Sequence, residues 1–105
     1  MTNSNVSVTS ANGVSFDLES EELLVDGEVR RLQAKEVKLL EYFLDHANRI
    51  VPRSDLLTDV WGYDASVDTR TVDIHVSHLR KKLNAGKRHG IIKTIHGVGY
   101  RFTIV

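Results

Sequence analysis

The hydrophobic positions of the N-terminal third follow a short-period pattern. From Val14 to Leu32, runs of apolar and β-branched residues (VSFDL, ELLVDG and EVRRL) alternate with turn residues. Asp26-Gly27 lies between two of these runs, and this dipeptide favours a two-residue hairpin turn. The pattern therefore predicts a small antiparallel N-terminal sheet. Residues 1–12 show no periodicity and are predicted to be a flexible linker or tail, which leaves one domain over residues 13–105.

The spacing of apolar residues then becomes helical. Between Gln33 and about Ala47 they recur on one helical face, at Val37, Leu40, Phe43, Leu44 and Ala47. A second, short helix is predicted over Pro52–Trp61, with the proline in its first turn and Gly62 at its end. Gly62–Val67 is predicted to be a loop.

The C-terminal third predicts one longer helix and a β-hairpin. The helix runs from about Asp68, a suitable N-cap, to Asn84. Two β-rich runs, Ile91–Ile95 and Tyr100–Val105, flank the sequence HGVG, whose two glycines (Gly97 and Gly99) permit a tight turn. The order of elements indicates an α+β fold: an N-terminal antiparallel sheet, a core of three helices and a C-terminal hairpin, called the wing below.

The third predicted helix has two different faces. At about 100° per residue, its apolar residues form one buried stripe, consisting of Val72, Val76, Leu79 and Leu83. The opposite face carries Arg70, Ile74, Ser77 and Lys81, with His78 at one edge and Asn84 at the other. An α-helix fits the major groove of DNA, where cationic and hydrogen-bonding side chains meet base edges and phosphates and an apolar one meets the thymine methyl group. Arg80, Lys81 and Lys82 are expected to meet phosphates.

The wing offers a second contact. Lys93, His96 and Arg101 could reach an adjacent minor groove, where basic side chains sense groove width and potential. An ordinary hairpin that completes the core is the alternative for this segment. In that case its important residues are the packing ones, Ile91, Ile95, Tyr100 and Phe102.

The charge distribution supports a polyanionic partner, although the net charge of the chain is zero. Residues 1–69 contain 6 Lys/Arg and 13 Asp/Glu, a net charge of −7, whereas residues 70–105 contain 8 Lys/Arg and only Asp73, a net charge of +7. Mutual neutralisation inside the fold, or a solvated helix with a basic end, would also fit. The absence of cysteine excludes disulfides and thiolate metal sites, and no apolar run is long enough to span a membrane, so a cytoplasmic protein is expected.

Two segments, LLTDVWGYDASVDTRTVDIHVSHLRKKL and IKTIHGVGYRF, resemble the effector domain of the OmpR/PhoB family of bacterial response regulators. The similarity extends from about Val14 to the C-terminus. It implies a winged helix-turn-helix with a four-stranded N-terminal sheet, whose third helix enters the major groove and whose wing contacts the minor groove. The function it implies is sequence-specific binding of double-stranded DNA in transcriptional regulation.

The resemblance also implies a set of DNA-contacting residues. On the third helix these are Arg70, Thr71, Ile74, His75, Ser77, His78 and Arg80; outside it they are Trp61, at the DNA backbone, and Thr94 and His96, at the wing. It further implies tandem dimers on direct repeats and contact with RNA polymerase through the Gly62–Val67 loop. Ser77, His78 and His96 depart from the family pattern, because relatives often have arginine there.

Members of this family normally carry an N-terminal receiver domain, and nothing in this chain resembles one. The chain is therefore expected to be an output domain separated from its receiver, with a linker within residues 1–12; a naturally free-standing domain is the alternative. Two other functions fit the sequence less well. A metal site or enzyme at His75 and His78 is disfavoured because Asp73 lies on another side of the helix, and no catalytic motif or cofactor is expected. A winged helix that binds only proteins is disfavoured by the basic C-terminal third.

Overall fold

The structure, a computed structural model, describes residues 14–17, 19–64, 66–83 and 91–103. The predicted tail at residues 1–12 lies outside them. The elements are β1 (Val14–Asp17), β2 (Glu22–Val25), β3 (Glu28–Arg31), α1 (Ala34–Asp45), β4 (Ile50–Pro52), α2 (Arg53–Leu56), α3 (Arg70–Lys82), β5 (Ile92–Ile95) and β6 (Gly99–Phe102). One π-helical turn, Leu57–Trp61, continues α2. The predicted α+β order of sheet, three helices and hairpin is confirmed.

The N-terminal sheet is antiparallel, with the strand order β1-β2-β3. Its hairpin turn lies at Asp26-Gly27, as the sequence predicts. Both residues adopt positive φ angles, which a two-residue hairpin turn of this kind requires. Val14, Phe16, Leu23 and Val25 point into the core, while Leu24 and Val29 are cross-strand partners on the outer face. The family resemblance implies four strands in the N-terminal sheet, whereas the described residues form three.

The C-terminal sheet differs from the prediction, because it has three strands in the order β4-β6-β5 and is not a hairpin alone. Pro52 was expected in the first turn of a helix, but it ends β4 and precedes the first helical residue, Arg53. Proline is tolerated here because β4 is an edge strand. A Cβ atom on Gly99 would lie 2.0 Å from the carbonyl oxygen of Val51, so the close pairing of β6 with β4 requires glycine.

The helices are shorter than the sequence pattern indicates. α1 ends at Asp45, before the predicted Ala47, and the helix predicted over Pro52–Trp61 changes to π-helical hydrogen bonding after Leu56 before it ends at Gly62. Thr69, and not Asp68, precedes the first residue of α3; the Asp68 carboxylate nevertheless accepts the backbone N–H of Arg70 at 2.8 Å. The predicted end at Asn84 lies outside the described residues.

A single core joins the two sheets and the helices. The predicted stripe of α3 is confirmed, since Val72, Val76, Leu79 and Leu83 are each at most 1% exposed. They belong to the same buried cluster as Phe43 of α1 and Phe102 of β6, whose rings stack. The described helices include none that is long and apolar enough to cross a membrane.

Candidate nucleic-acid interface

The outward face of α3 is exposed as the helical pattern predicts. Arg70, Ser77, His78 and Lys81 are exposed, and Ile74 among them is 47% exposed. Arg70 lies 3.6 Å from the Asp68 carboxylate, but both side chains are mostly in solvent, so this ion pair holds the guanidinium only weakly. The face thus combines two exposed cations, two hydrogen-bonding side chains and one apolar side chain.

Trp61, Thr71 and His75 form the margin of this face. Nδ1 of His75 lies 2.8 Å from the carbonyl oxygen of Thr71, so this nitrogen is the ring's donor and Nε2 is left on the other side. The indole of Trp61 contacts the His75 ring edge-to-face, with 5.1 Å between ring centroids. These contacts hold the imidazole against α3 and bring Trp61 from the π-helical turn to the edge of the exposed face.

The Arg80-Lys81-Lys82 run does not act as one basic cluster. Arg80 donates from Nε and Nη2 to the carbonyl oxygen of Ile92, at 3.1 and 2.9 Å, and from Nη2 to Oγ1 of Thr94 at 2.6 Å. Lys82 donates to Oε1 of the buried Glu36 at 2.6 Å and to the carbonyl oxygen of Arg31 at 3.1 Å. Only Lys81 of the three is exposed, so the structure directs the other two cations into the domain.

Asp73 lies on a flank of α3, between the exposed face and the buried stripe, where it joins α3 to α2 and to the wing. One oxygen, Oδ1, accepts the Nε–H of Arg53 at 2.8 Å and the phenol of Tyr100 at 2.6 Å. The hydrogen bond to Asp73 raises the pKa of the Arg53 guanidinium, and burial together with the same carboxylate raises the pKa of the Tyr100 phenol. Asp73 is therefore turned away from His75 and His78.

Sequence analysis missed this network and the caps at the other end of α3. Arg30 of β3 donates to the carbonyl oxygen of Lys82 at 2.9 Å, which stabilises the C-terminus of the helix. The one feature of the sequence that could have indicated the Asp73 network is Asp73 itself, because it is the single acidic residue among residues 70–105. An isolated acid in a basic segment indicates a specific cationic partner.

The wing residues divide between the two faces of the C-terminal sheet. Thr94 pairs with Tyr100 on the face toward α3, whereas Lys93 pairs with Arg101 on the outer face, beside the exposed Ile50. His96 is exposed in the turn between β5 and β6. The described residues contain no group of three or more His, Cys, Asp or Glu side chains that could hold a metal ion.

Comparison with known proteins agrees with this geometry. Residues 27–102 match the family model described as "Transcriptional regulatory protein, C terminal". The chain belongs to this family. It is 38% identical over 96 residues to the phosphate regulon transcriptional regulatory protein PhoB of Escherichia coli, a match that covers 91% of this chain and 42% of that protein.

Solved structures give the same assignment. The DNA-binding domain of Klebsiella pneumoniae RstA, in complex with the RstA box, superposes with a TM-score of 0.76 at 31% identity and covers 91% of this chain and 96% of that one. The OmpR/PhoB homologue DrrB of Thermotoga maritima superposes with a TM-score of 0.78 at 30% identity, over 91% of this chain and 44% of that one. The chain is an effector domain of the OmpR/PhoB type, and it spans less than half the length of relatives such as PhoB and DrrB.

Proposed function

We propose that the exposed face of α3 enters the major groove of a specific double-stranded DNA site. The observation that carries this proposal is the exposure of Arg70, Ile74, Ser77, His78 and Lys81 opposite a stripe that is completely buried. Arg70 suits a guanine or a phosphate, Ser77 and His78 suit base edges, and Ile74 suits a thymine methyl group. Thr71, His75 and Trp61, at the margin of the same face, contact the sugar-phosphate backbone.

The wing supplies the second contact, at the neighbouring minor groove. His96 is at the tip, and Thr94 lies between α3 and the tip. Arg80 and Lys82 favour binding indirectly, because Arg80 holds α3 against the wing and Lys82 holds it against α1 and the N-terminal sheet. The RstA domain, which is 31% identical to this chain, has been solved with a DNA site bound, and this supports the same class of ligand here.

Two copies bind direct repeats head to tail. The outer face of the N-terminal sheet exposes Leu24 and Val29 in a segment rich in Asp and Glu, whereas the outer face of the C-terminal sheet exposes Ile50 beside Lys93 and Arg101. These apolar centres with opposite charges are complementary, and a contact between different surfaces gives a repeated and not a palindromic arrangement.

The full-length protein adds two further partners. We expect a receiver domain to precede the effector domain in the full-length protein, because relatives such as PhoB are more than twice as long as this chain. RNA polymerase contacts the Gly62–Val67 loop. Within this loop Tyr63 and Val67 are 48% and 44% exposed, so two large side chains are accessible to a partner protein.

Selection of binding sites from a random duplex library with the purified chain tests the proposal. Enrichment of a short sequence, repeated head to tail about one helical turn apart, is the expected result. Enrichment of a single copy would support DNA recognition and exclude tandem binding by this chain alone. Recovery of no sequence would contradict DNA recognition and would favour a domain that contacts only proteins.

A further inference from the structure

Tyr100 lies between the two elements that are proposed to contact DNA. It is on β6, the central strand of the C-terminal sheet, and only 4% of it is exposed, so it cannot itself touch DNA. Its phenol donates to Asp73 near the N-terminal end of α3 at 2.6 Å. The wing is thereby tied to the first turn of the helix through a buried side chain.

Arg80 makes a second tie, seven residues further along α3. Its guanidinium donates to Ile92 and Thr94 of β5 and lies 5.2 Å from the centre of the Tyr100 ring. The guanidinium of Arg53 lies 5.3 Å from the same ring. Two attachment points about 10 Å apart along one helix fix both the distance and the angle between helix and sheet.

We propose that Tyr100, together with Arg80, is a positioning residue that sets the wing against α3, so that both meet DNA as one rigid body. This inference rests on the proposed function and extends it. When the second contact is already oriented by the first, its ordering costs no further entropy at binding. Loss of the Tyr100 hydroxyl group should therefore weaken DNA binding at the wing, although no DNA contact is removed.

The test compares two conservative variants, Tyr100→Phe and Tyr42→Phe. Each removes one phenol hydroxyl group that donates to an aspartate at 2.6 Å: Tyr100 to Asp73, and Tyr42 of α1 to Asp59 of the π-helical turn. Tyr42→Phe is thus a matched control outside the junction between helix and wing. Affinity and hydroxyl-radical footprints are measured on the duplex selected by the wild-type chain, below the melting temperature of every variant.

The expected result is that Tyr100→Phe weakens binding about tenfold, the equivalent of one good contact, and loses protection on the wing side alone. Tyr42→Phe should bind within about twofold of the wild type, the scatter expected of a distant substitution. Wild-type affinity with a complete footprint for Tyr100→Phe would overturn the proposal. A weakened footprint that is uniform over the helix and wing sides would overturn it as well.

Arg80→Lys provides a second variant, which also decides the matter if Tyr100→Phe does not fold. Lysine keeps the positive charge but cannot donate to Ile92 and Thr94 in the same geometry. A positioning role predicts the same loss on the wing side as Tyr100→Phe, whereas a direct phosphate contact predicts retained affinity and a retained footprint, which would contradict the proposal for Arg80. Failure of the wild-type chain to select any site would instead overturn the proposed function itself.

Discussion

The ammonium group of Lys82 lies 2.6 Å from Oε1 of Glu36, whose side chain is 2% exposed. The same carboxylate oxygen accepts the backbone N–H of Gln33 at the start of α1. This pair therefore links the C-terminal end of α3 to the N-terminal end of α1. The neighbouring Lys81 has its side chain in solvent, so two adjacent lysines serve different purposes.

Replacement of Lys82 should destabilise the domain. In Lys82→Met the buried Glu36 carboxylate loses its cationic partner, and breaking such a pair is expected to lower the free energy of unfolding by about 3 kcal/mol. Urea denaturation measures this quantity. Lys81→Met is the matched control and should change the free energy of unfolding by less than about 0.5 kcal/mol. Equal effects of the two substitutions would contradict the assignment of Lys82 to the interior.

In DNA binding the order of the two lysines should be reversed: replacement of Lys81 should change the salt dependence of the affinity, and replacement of Lys82 should not. Lys81→Ala is expected to reduce the slope of log K against log salt concentration by about 1, because one phosphate contact is lost. Lys82→Ala should leave this slope unchanged, provided that affinities are measured under conditions where it is folded. A smaller slope in Lys82→Ala would mean that the lysine leaves Glu36 to reach DNA.

Gly99 is expected to tolerate no side chain. Its Cβ atom would meet the Val51 carbonyl oxygen at 2.0 Å, and the neighbouring backbone of Pro52 and Arg53 leaves no room for movement. Gly99→Ala should cost about 3 kcal/mol, at the upper end for overpacking. Gly97→Ala should cost about 1–2 kcal/mol, because only the left-handed backbone is penalised there. Thermal denaturation of both variants checks this order; the reverse order would exclude close pairing of β4 with β6.

Alkaline pH should weaken the contact between α1 and the π-helical turn. Burial, together with the hydrogen bond to Asp59 and the charges of Asp59 and Asp55, raises the pKa of Tyr42 from 10.0 to about 12. A pKa that is higher in the folded state contributes stability that is complete below pH 10 and is lost as the pH rises from 10 to about 12.

Denaturation midpoints of the wild type and Tyr42→Phe across this range measure that contribution. The difference between the two proteins should shrink as the pH rises. Tyr100, whose pKa is also raised, remains in both proteins and does not affect the comparison. A difference that stays constant with pH would show that the Tyr42 phenol does not titrate in the folded state as proposed.

The features of α3 that depend on one helix alone could be predicted from the sequence. Periodicity locates Val72, Val76 and Leu79 in the core and Ile74 and Ser77 outside it, because the angle around a helix is set by residue number. Asp26-Gly27 likewise determines its own turn. Local rules are sufficient for these elements.

Features that depend on a distant partner could not be predicted in the same way. A basic run at a helix end gives no indication that Arg80 turns toward the carbonyl oxygen of Ile92, or Lys82 toward Glu36, since these partners lie 12 and 46 residues away in sequence. Pro52 indicated the start of a helix when only its neighbours in sequence were considered. Its place at the end of β4 depends on pairing with Gly99, which follows much later in the chain. Long charged side chains remain ambiguous until the elements they can reach are known.

The affinity of Arg70→Ala for the selected duplex tests the central claim most directly, since Arg70 has an 80% exposed side chain at the start of the proposed DNA-binding face. The account predicts a loss of about 1–3 kcal/mol in binding free energy and relaxed preference at one base pair. Lys38→Ala, which removes an exposed cation from α1, is the control and should bind as the wild type does. Equal affinities of Arg70→Ala and the wild type, with unchanged base preference, would contradict DNA recognition by this face of α3.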